Sequence, residues 1–325
     1  MRRRDFIVAV GGAAAMPLAA RAQQPTPVIG FLSGQSPDAF ARYADGFRQG
    51  LKAAGYIDGQ NVSIEYHWAR GQNDQLPALA ANFVRRQVAV IAATGGIASA
   101  LAAKAATTTI PIVVTSGDDP IKSGLVSNLN RPGGNITVIS FFNTETVGKR
   151  LALLRDLVPT ATSLAVLLNP NSPENRAQLP DVQAAARAIG RQLISFHAST
   201  PDEIDAAFAA LAKQKVGGLI VAADPFFNNR RAQIIALAAR QAIPTIYGGR
   251  DFVADGGLIG YGNNLADAYR RVGIYTGRIL KGDKAGDLPV DRATKFELAI
   301  NLNTAKALGL EFPLSVLISV DEVIE

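Results

Sequence analysis

Two short stretches of this chain hold the same place in a repeated order: Ile110-Pro111-Ile112-Val113-Val114 and Ile243-Pro244-Thr245-Ile246-Tyr247. Each follows an apolar run of strand length, a polar loop and an Ala-rich segment of helical length. The runs are continuous rather than alternating, which suits parallel strands covered by helices on both faces. A chain that performs this alternation twice is predicted to be α/β, with two similar Rossmann-like lobes, each a parallel doubly wound sheet. Its 325 residues suffice for two cores. With 48% hydrophobic but only 7% aromatic residues, those cores draw mainly on Ala, Leu, Val and Ile.

Strands are expected at 28–32, 62–66, 88–93, 110–114 and 136–140 in the first half, and at 164–168, 192–197, 216–222, 243–247 and 257–261 in the second. A further strand is expected at 296–300 and an apolar tail at 316–320. Among the helices between them, Asp38 is placed to cap the first and Gly55 to end it. One helix is expected to begin near Thr144, Pro180 is expected to break or kink another, and Thr200 with Glu203 forms a capping box. Crossings between lobes near Ser140-Phe141, Gly262-Asn263 and Pro289 give lobe one as 23–141 plus about 263–288. Lobe two is then 142–262 plus about 289–325.

The first 22 residues read as an export signal peptide: Arg2-Arg3-Arg4, a modest apolar run, and Ala20-Arg21-Ala22 as a small-x-small cleavage site. Arg3-Arg4 with Phe6-Ile7 looks like a twin-arginine signal, but no Ser or Thr precedes the pair, so Sec export stays open. The expected product is a periplasmic chain cleaved near Ala22. Without this segment, 29 basic residues face 26 acidic ones, too slight an excess for a nucleic-acid partner. The pairs Arg85-Arg86, Arg230-Arg231 and Arg270-Arg271 are read as solvated helix faces. Absence of cysteine excludes structural disulfides and thiolate chemistry.

Doubly wound sheets bind ligands beyond the carboxyl ends of their strands. Lobe one places Ser33, Gln35, Thr94, Gly95, Gly96, Ser116, Gly117, Asp118 and Asp119 there; lobe two places Asn169, Asp224, Phe226, Tyr247 and Tyr261. Hydroxyls and free N–H groups at helix starts suit a carboxylate, an aspartate suits an ammonium, and rings enclose an apolar group. That set would hold an amino-acid-like zwitterion. Nucleotide motifs and a nucleophile elbow are absent, and His67 and His197 show no metal-ligand spacing. The expectation is therefore no catalytic residue, no metal and no cofactor, in a monomer. Two alternatives stay open: an exported hydrolase or isomerase using Asp118 or Asp119 as base, and a ligand-sensing partner of a membrane receptor.

Several motifs in order carry a resemblance. They are Asp119-Pro120 with Ser123-Gly124-Leu125-Val126, Arg131-Pro132-Gly133-Gly134-Asn135, Ala223-Asp224-Pro225-Phe226-Phe227, Ala242-Ile243-Pro244, and Lys295-Phe296-Glu297-Leu298 through Ala305-Lys306-Ala307-Leu308-Gly309-Leu310. Together they resemble the ABC-transporter substrate-binding proteins of the tryptophan-X type. The resemblance implies a type I periplasmic-binding-protein fold with hinge crossovers, a small organic solute held between the lobes, and an ABC permease as partner. It also implies that Thr94 and Ser116 meet the solute's carboxylate and Asp224 its ammonium.

Overall fold

The computed structural model describes residues 26–117, 119–141 and 146–325. The expected signal peptide with its cleavage point, Asp118 and the expected helix start at Thr144 lie outside the described residues. The first lobe opens with β1 (Val28–Ser33), α1 (Pro37–Ala53), β2 (Ser63–Trp68), α2 (Leu76–Arg85), β3 (Val90–Thr94), α3 (Ile97–Ala106), β4 (Ile112–Ser116) and β5 (Ile136–Ser140). The second follows with α4 (Val147–Leu157), β6 (Ser163–Leu168), α5 (Pro173–Ala188), β7 (Gln192–His197), α6 (Pro201–Leu211), β8 (Leu219–Val221), α7 (Pro225–Asn229), α8 (Arg231–Arg240), β9 (Thr245–Tyr247), α9 (Arg250–Ala254) and β10 (Ile259–Asn263). The chain then returns to lobe one for α10 (Leu265–Leu280) and β11 (Asp291–Arg292). It finishes in lobe two with β12 (Phe296–Asn301), α11 (Leu302–Ala307), α12 (Leu314–Leu317) and β13 (Glu322–Ile324).

The sheets are ordered β2-β1-β3-β4-β5-β11 and β7-β6-β8-β9-β10-β12-β13, the same winding in each lobe. Each sheet is covered on both faces, and the pleat divides its residues between two cores. Leu164, Val166 and Leu168 of β6 pack under α4 and α5, whereas Ala165 and Leu167 pack under α6 and α8. In lobe one, Phe31 faces α1 and α10 while its neighbour Leu32 faces α2 and α3. The expected α/β architecture of two wound sheets is what the chain adopts.

One pairing departs from the parallel expectation: β12 runs antiparallel to β10. The path dictates it. β10 ends at the side of the sheet facing lobe one, where the chain leaves, and the returning chain re-enters at that side, so its next strand must run away from it. Asn264 pins these two crossings together: its N–H donates to the Lys295 carbonyl (2.9 Å) and its Nδ2 to Glu297 (2.9 Å), while its Oδ1 caps α10 by accepting from Asp267 N–H (2.8 Å).

The crossing expected near Pro289 falls later. The Thr137 hydroxyl donates to the Leu288 carbonyl (3.0 Å), β11 pairs with β5, and Ala293 N–H donates to the Ser140 carbonyl (2.8 Å), so lobe one holds the chain as far as Ala293. β11 is two residues long, too short to leave an apolar signature. The expected tail at 316–320 is instead the end of α12 and the turn into β13. Ser36, not Asp38, occupies the N-cap of α1, because Pro37 takes the first helical position; Asp38 lies in the first turn. Helix α5 runs unbroken through Pro180. Thr200 caps α6 through Glu203 N–H, while the Glu203 carboxylate reaches back to Ser199. The arginine pairs are more than solvated faces: Arg271 bridges Asp267 of its own helix (2.8 Å) and Asp291 of β11 (2.9 Å), fastening the short strand to α10.

α10 lies against α1 at backbone distance. A Cβ on Gly50 would stand 1.9 Å from the Arg270 carbonyl oxygen, and one on Gly273 2.2 Å from that of Phe47. These glycines let the last lobe-one helix dock on the first.

Candidate ligand-binding site

Both lobes present the carboxyl ends of their parallel strands to a common cleft, a cavity of about 270 Å3. In each sheet the strand order reverses beside the first strand, between β1 and β3 and between β6 and β8. Loops diverge at such a point and leave a crevice. Gln35 follows β1, Gly95 and Gly96 follow β3, Asn169 follows β6 and Asp224 follows β8; all five line the cleft, as does Phe226.

In lobe one the Thr94-Gly95-Gly96 turn carries positive φ at both glycines, +75° and +126°. A Cβ on Gly95 would stand 2.5 Å from Ser33 Oγ, and one on Gly96 would stand 3.1 Å from Pro225 Cγ of the other lobe. The turn is thus wedged between the β1 loop and lobe two, and it delivers the start of α3 to the cleft, where Ile97 and Ala98 also line the wall. The first N–H groups of a helix have no intrahelical acceptor and favour an anion.

In lobe two Asp224 is the N-cap of α7. Its Oδ1 accepts from Phe226 N–H (2.8 Å) and from Asn169 Nδ2 (3.1 Å). Only 4% of the residue is exposed. Burial pushes its carboxyl above the ordinary aspartate range, against the pull of these neutral donors. A cation entering the cleft would supply the missing counter-charge. Rings from both lobes surround the space: Phe40, Tyr43, Phe141 and Tyr269 on one side, Phe226 and Phe252 on the other.

Gly117, after β4, lines the cleft as well, whereas the other described candidates stand elsewhere. Ser33 is buried, its Oγ accepting from Gln35 N–H (3.2 Å). Thr94 is fully buried, and its hydroxyl donates to the Leu32 carbonyl (3.4 Å); burial pushes the phenol of Tyr269, which lines the cleft, up to about 12. Ser116 is buried, and its carbonyl accepts from Phe141 N–H (3.0 Å). Asp119 organises its own turn, Oδ1 accepting from Ile121 N–H (2.9 Å) and Lys122 N–H (3.2 Å). Tyr247 lies in the core with its ring stacked 4.6 Å from Phe252, and Tyr261 packs beside Phe296 while its carbonyl accepts from Arg150 Nε (2.8 Å). The two histidines belong to different sheets, His67 stacked on Phe83 and His197 exposed at the end of β7.

The residues that sequence reasoning missed lie on helices. Tyr43 of α1 donates a hydrogen bond across the cleft to Asp251 of α9, and Arg42 pairs with the same carboxylate at 3.4 Å. These bonds tie lobe to lobe directly, side chain to side chain. Burial and the adjacent Asp251 charge push the Tyr43 hydroxyl well above its ordinary value, so it donates throughout the neutral range. Tyr43→Phe is expected to release this tie and shift the closed-to-open ratio roughly tenfold toward open. Small-angle scattering of the ligand-free variant should show a larger radius of gyration; an unchanged radius would refute the tie.

Two wound α/β lobes joined by three crossings, with a polar and aromatic cleft between them, define a type I periplasmic-binding-protein fold. The chain belongs to the ABC transporter substrate binding protein family, which it matches over residues 27–324. It is 29% identical over 266 residues to a tyrosine-binding protein of Clostridioides difficile, covering 82% of this chain and 76% of that one. A conserved domain protein from Vibrio cholerae superposes with a TM-score of 0.84 at 26% identity, covering 92% of this chain and 99% of the other. The ligand-free, open structure of a substrate-binding protein with adhesive properties from Clostridium difficile gives a TM-score of 0.68 at 27% identity, over 92% and 99%. Among the described residues no helix is long and apolar enough to cross a membrane.

Proposed function

We propose that this chain is the exported solute-binding component of an ABC importer, that it captures an amino acid with a large apolar side chain in the interlobe cleft, and that it hands this solute to a membrane permease. The observation that carries the reading is the pairing of opposites across one cavity. The start of α3 in lobe one offers N–H donors to a carboxylate, and the buried Asp224 of lobe two offers a counter-charge to an ammonium. The intervening rings suit an aromatic side chain. The tyrosine-binding relative supports the same ligand class.

Binding would act by population shift, a ligand that touches both walls favouring the state in which they are close. No bond of the ligand need be made or broken. At a hundredfold excess over Kd, binding stabilises a protein by about 2.7 kcal/mol. A thermal-shift screen is expected to find stabilisation by L-tyrosine, L-tryptophan or L-phenylalanine, and mass spectrometry of the purified protein to find the same class carried along. No stabilisation by any amino acid would exclude this reading.

A further inference from the structure

Gln35 stands out among the cleft residues because its side chain is both immobilised and incomplete. The residue is 2% exposed. Its N–H donates to Ser33 Oγ (3.2 Å), its carbonyl accepts from Arg70 N–H (3.1 Å), and its Nε2 donates to the Gly95 carbonyl (2.7 Å). The last bond fixes the amide's orientation, since turning it over would set two oxygens against each other. Gln35 Oε1 is left buried with no hydrogen-bond partner among the described residues. A buried acceptor left unmade costs free energy, and a loop held this rigidly cannot relieve it by swinging out.

The position of this oxygen narrows what completes it. Gln35 holds Gly95; the next residue, Gly96, abuts Pro225; and Pro225 follows Asp224. Gln35 of lobe one and Asp224 of lobe two thus line the same cavity from its two walls, an amide with a free acceptor on one and a carboxylate on the other. Two acceptors on opposite walls call for one group with several donors and a positive charge. A primary ammonium has three N–H bonds and can serve both; a carboxylate or a keto group can serve neither.

Resting on the amino-acid reading above, we infer that Gln35 Oε1 accepts a hydrogen bond from the ligand's α-ammonium, so that this group is shared between the lobes and Gln35 selects amino acids over their deaminated acids. The start of α3 remains for the carboxylate. α-Keto counterparts of a bound amino acid offer Oε1 no donor, and N-acylated ones offer a single uncharged N–H that cannot serve both walls, so the same feature selects against both.

The test is calorimetric titration of the wild type, Gln35→Met and Gln35→Glu with L-tyrosine and with 3-(4-hydroxyphenyl)propanoate, the same molecule without its ammonium. Methionine keeps the length and removes the acceptor. Gln35→Met is expected to weaken L-tyrosine by about 10- to 100-fold and the deaminated acid little, so the preference for the amino acid shrinks by that factor. Gln35→Glu keeps an acceptor and is expected to retain the preference. Damage to the Gly95 turn would weaken both ligands alike and leave their ratio unchanged; an unchanged ratio in Gln35→Met overturns the assignment while the amino-acid reading stands. If the wild type binds no amino acid, that reading falls and the assignment falls with it.

Discussion

Asp224→Asn is expected to raise the melting temperature of the ligand-free protein and to weaken amino-acid binding by roughly 100- to 1000-fold. The two effects have one cause. Burial raises the folded carboxyl's pKa above its unfolded value, so between those two values the native state binds more protons than the unfolded chain. The stability this group contributes is therefore greatest in acid and is lost as pH rises through the folded value. At neutral pH the ionised Asp224 is a standing cost of the empty protein, and asparagine removes it. Asparagine also keeps the N-cap of α7, so the loop should stay in place.

With ligand the sign reverses, since the charge that destabilises the empty cleft attracts the ammonium. Affinity of the wild type should accordingly fall as pH drops through the raised Asp224 value, and the pH profile of Asp224→Asn should be flat in that window. Thermal unfolding of both proteins, with and without L-tyrosine across acid and neutral pH, would measure all of this. A variant that is less stable when empty, or that binds as tightly as the wild type, would show that Asp224 is a structural cap only. This is the stability–function opposition expected where a binding site holds an unpaired buried charge.

Gly273→Leu is expected to be the most damaging single change to the fold. The new Cβ alone would stand 2.2 Å from the Phe47 carbonyl oxygen and 2.7 Å from Leu51 N, both of them backbone atoms of α1. No rotamer relieves a backbone contact, so α1 and α10 must part. Overpacking of a core costs up to about 3 kcal/mol or more, here roughly 10 °C in Tm. A folded remnant should also bind poorly, because α10 carries Leu265 and Tyr269 to the cleft. A Tm within two or three degrees of wild type would mean that the helices separate more easily than their contact suggests.

Legibility in the sequence followed the physics of each residue. Wound sheets announce themselves through continuous apolar runs, and the polar residues just past strands flanking the reversal of order fall into the cleft by topology alone. Gln35, Gly95, Gly96, Asn169 and Asp224 were visible for that reason. Tyr247 also ends a strand, but that strand is β9, one place further from the reversal than β8, and its ring is turned into the core against Phe252. Thr94 had the right place, yet its side chain is fully buried and its hydroxyl donates to the Leu32 carbonyl of the neighbouring strand. Tyr43, Asp251 and Tyr269 could not be read at all, because only the docking of α10 on α1 and the approach of the lobes set their direction. Periodicity marks which face of a helix is buried, not what lies opposite.

The route of the chain also sets the order in which the molecule can be completed. Lobe one begins at Val28 but lacks α10 and β11 until residues 265–292 have been made, after the whole of the segment from α4 to β10. Until then the part of α1 around Gly46 and Gly50 that receives α10 is bare and the core beside it, with Phe47 and Leu51, is covered only by the sheet, and a nascent or truncated chain ending at Asn263 would carry this strip into contact with chaperones and with its own kind. Limited proteolysis within 281–290 would have the same result in reverse, loosening the first lobe through a cut near the carboxyl terminus.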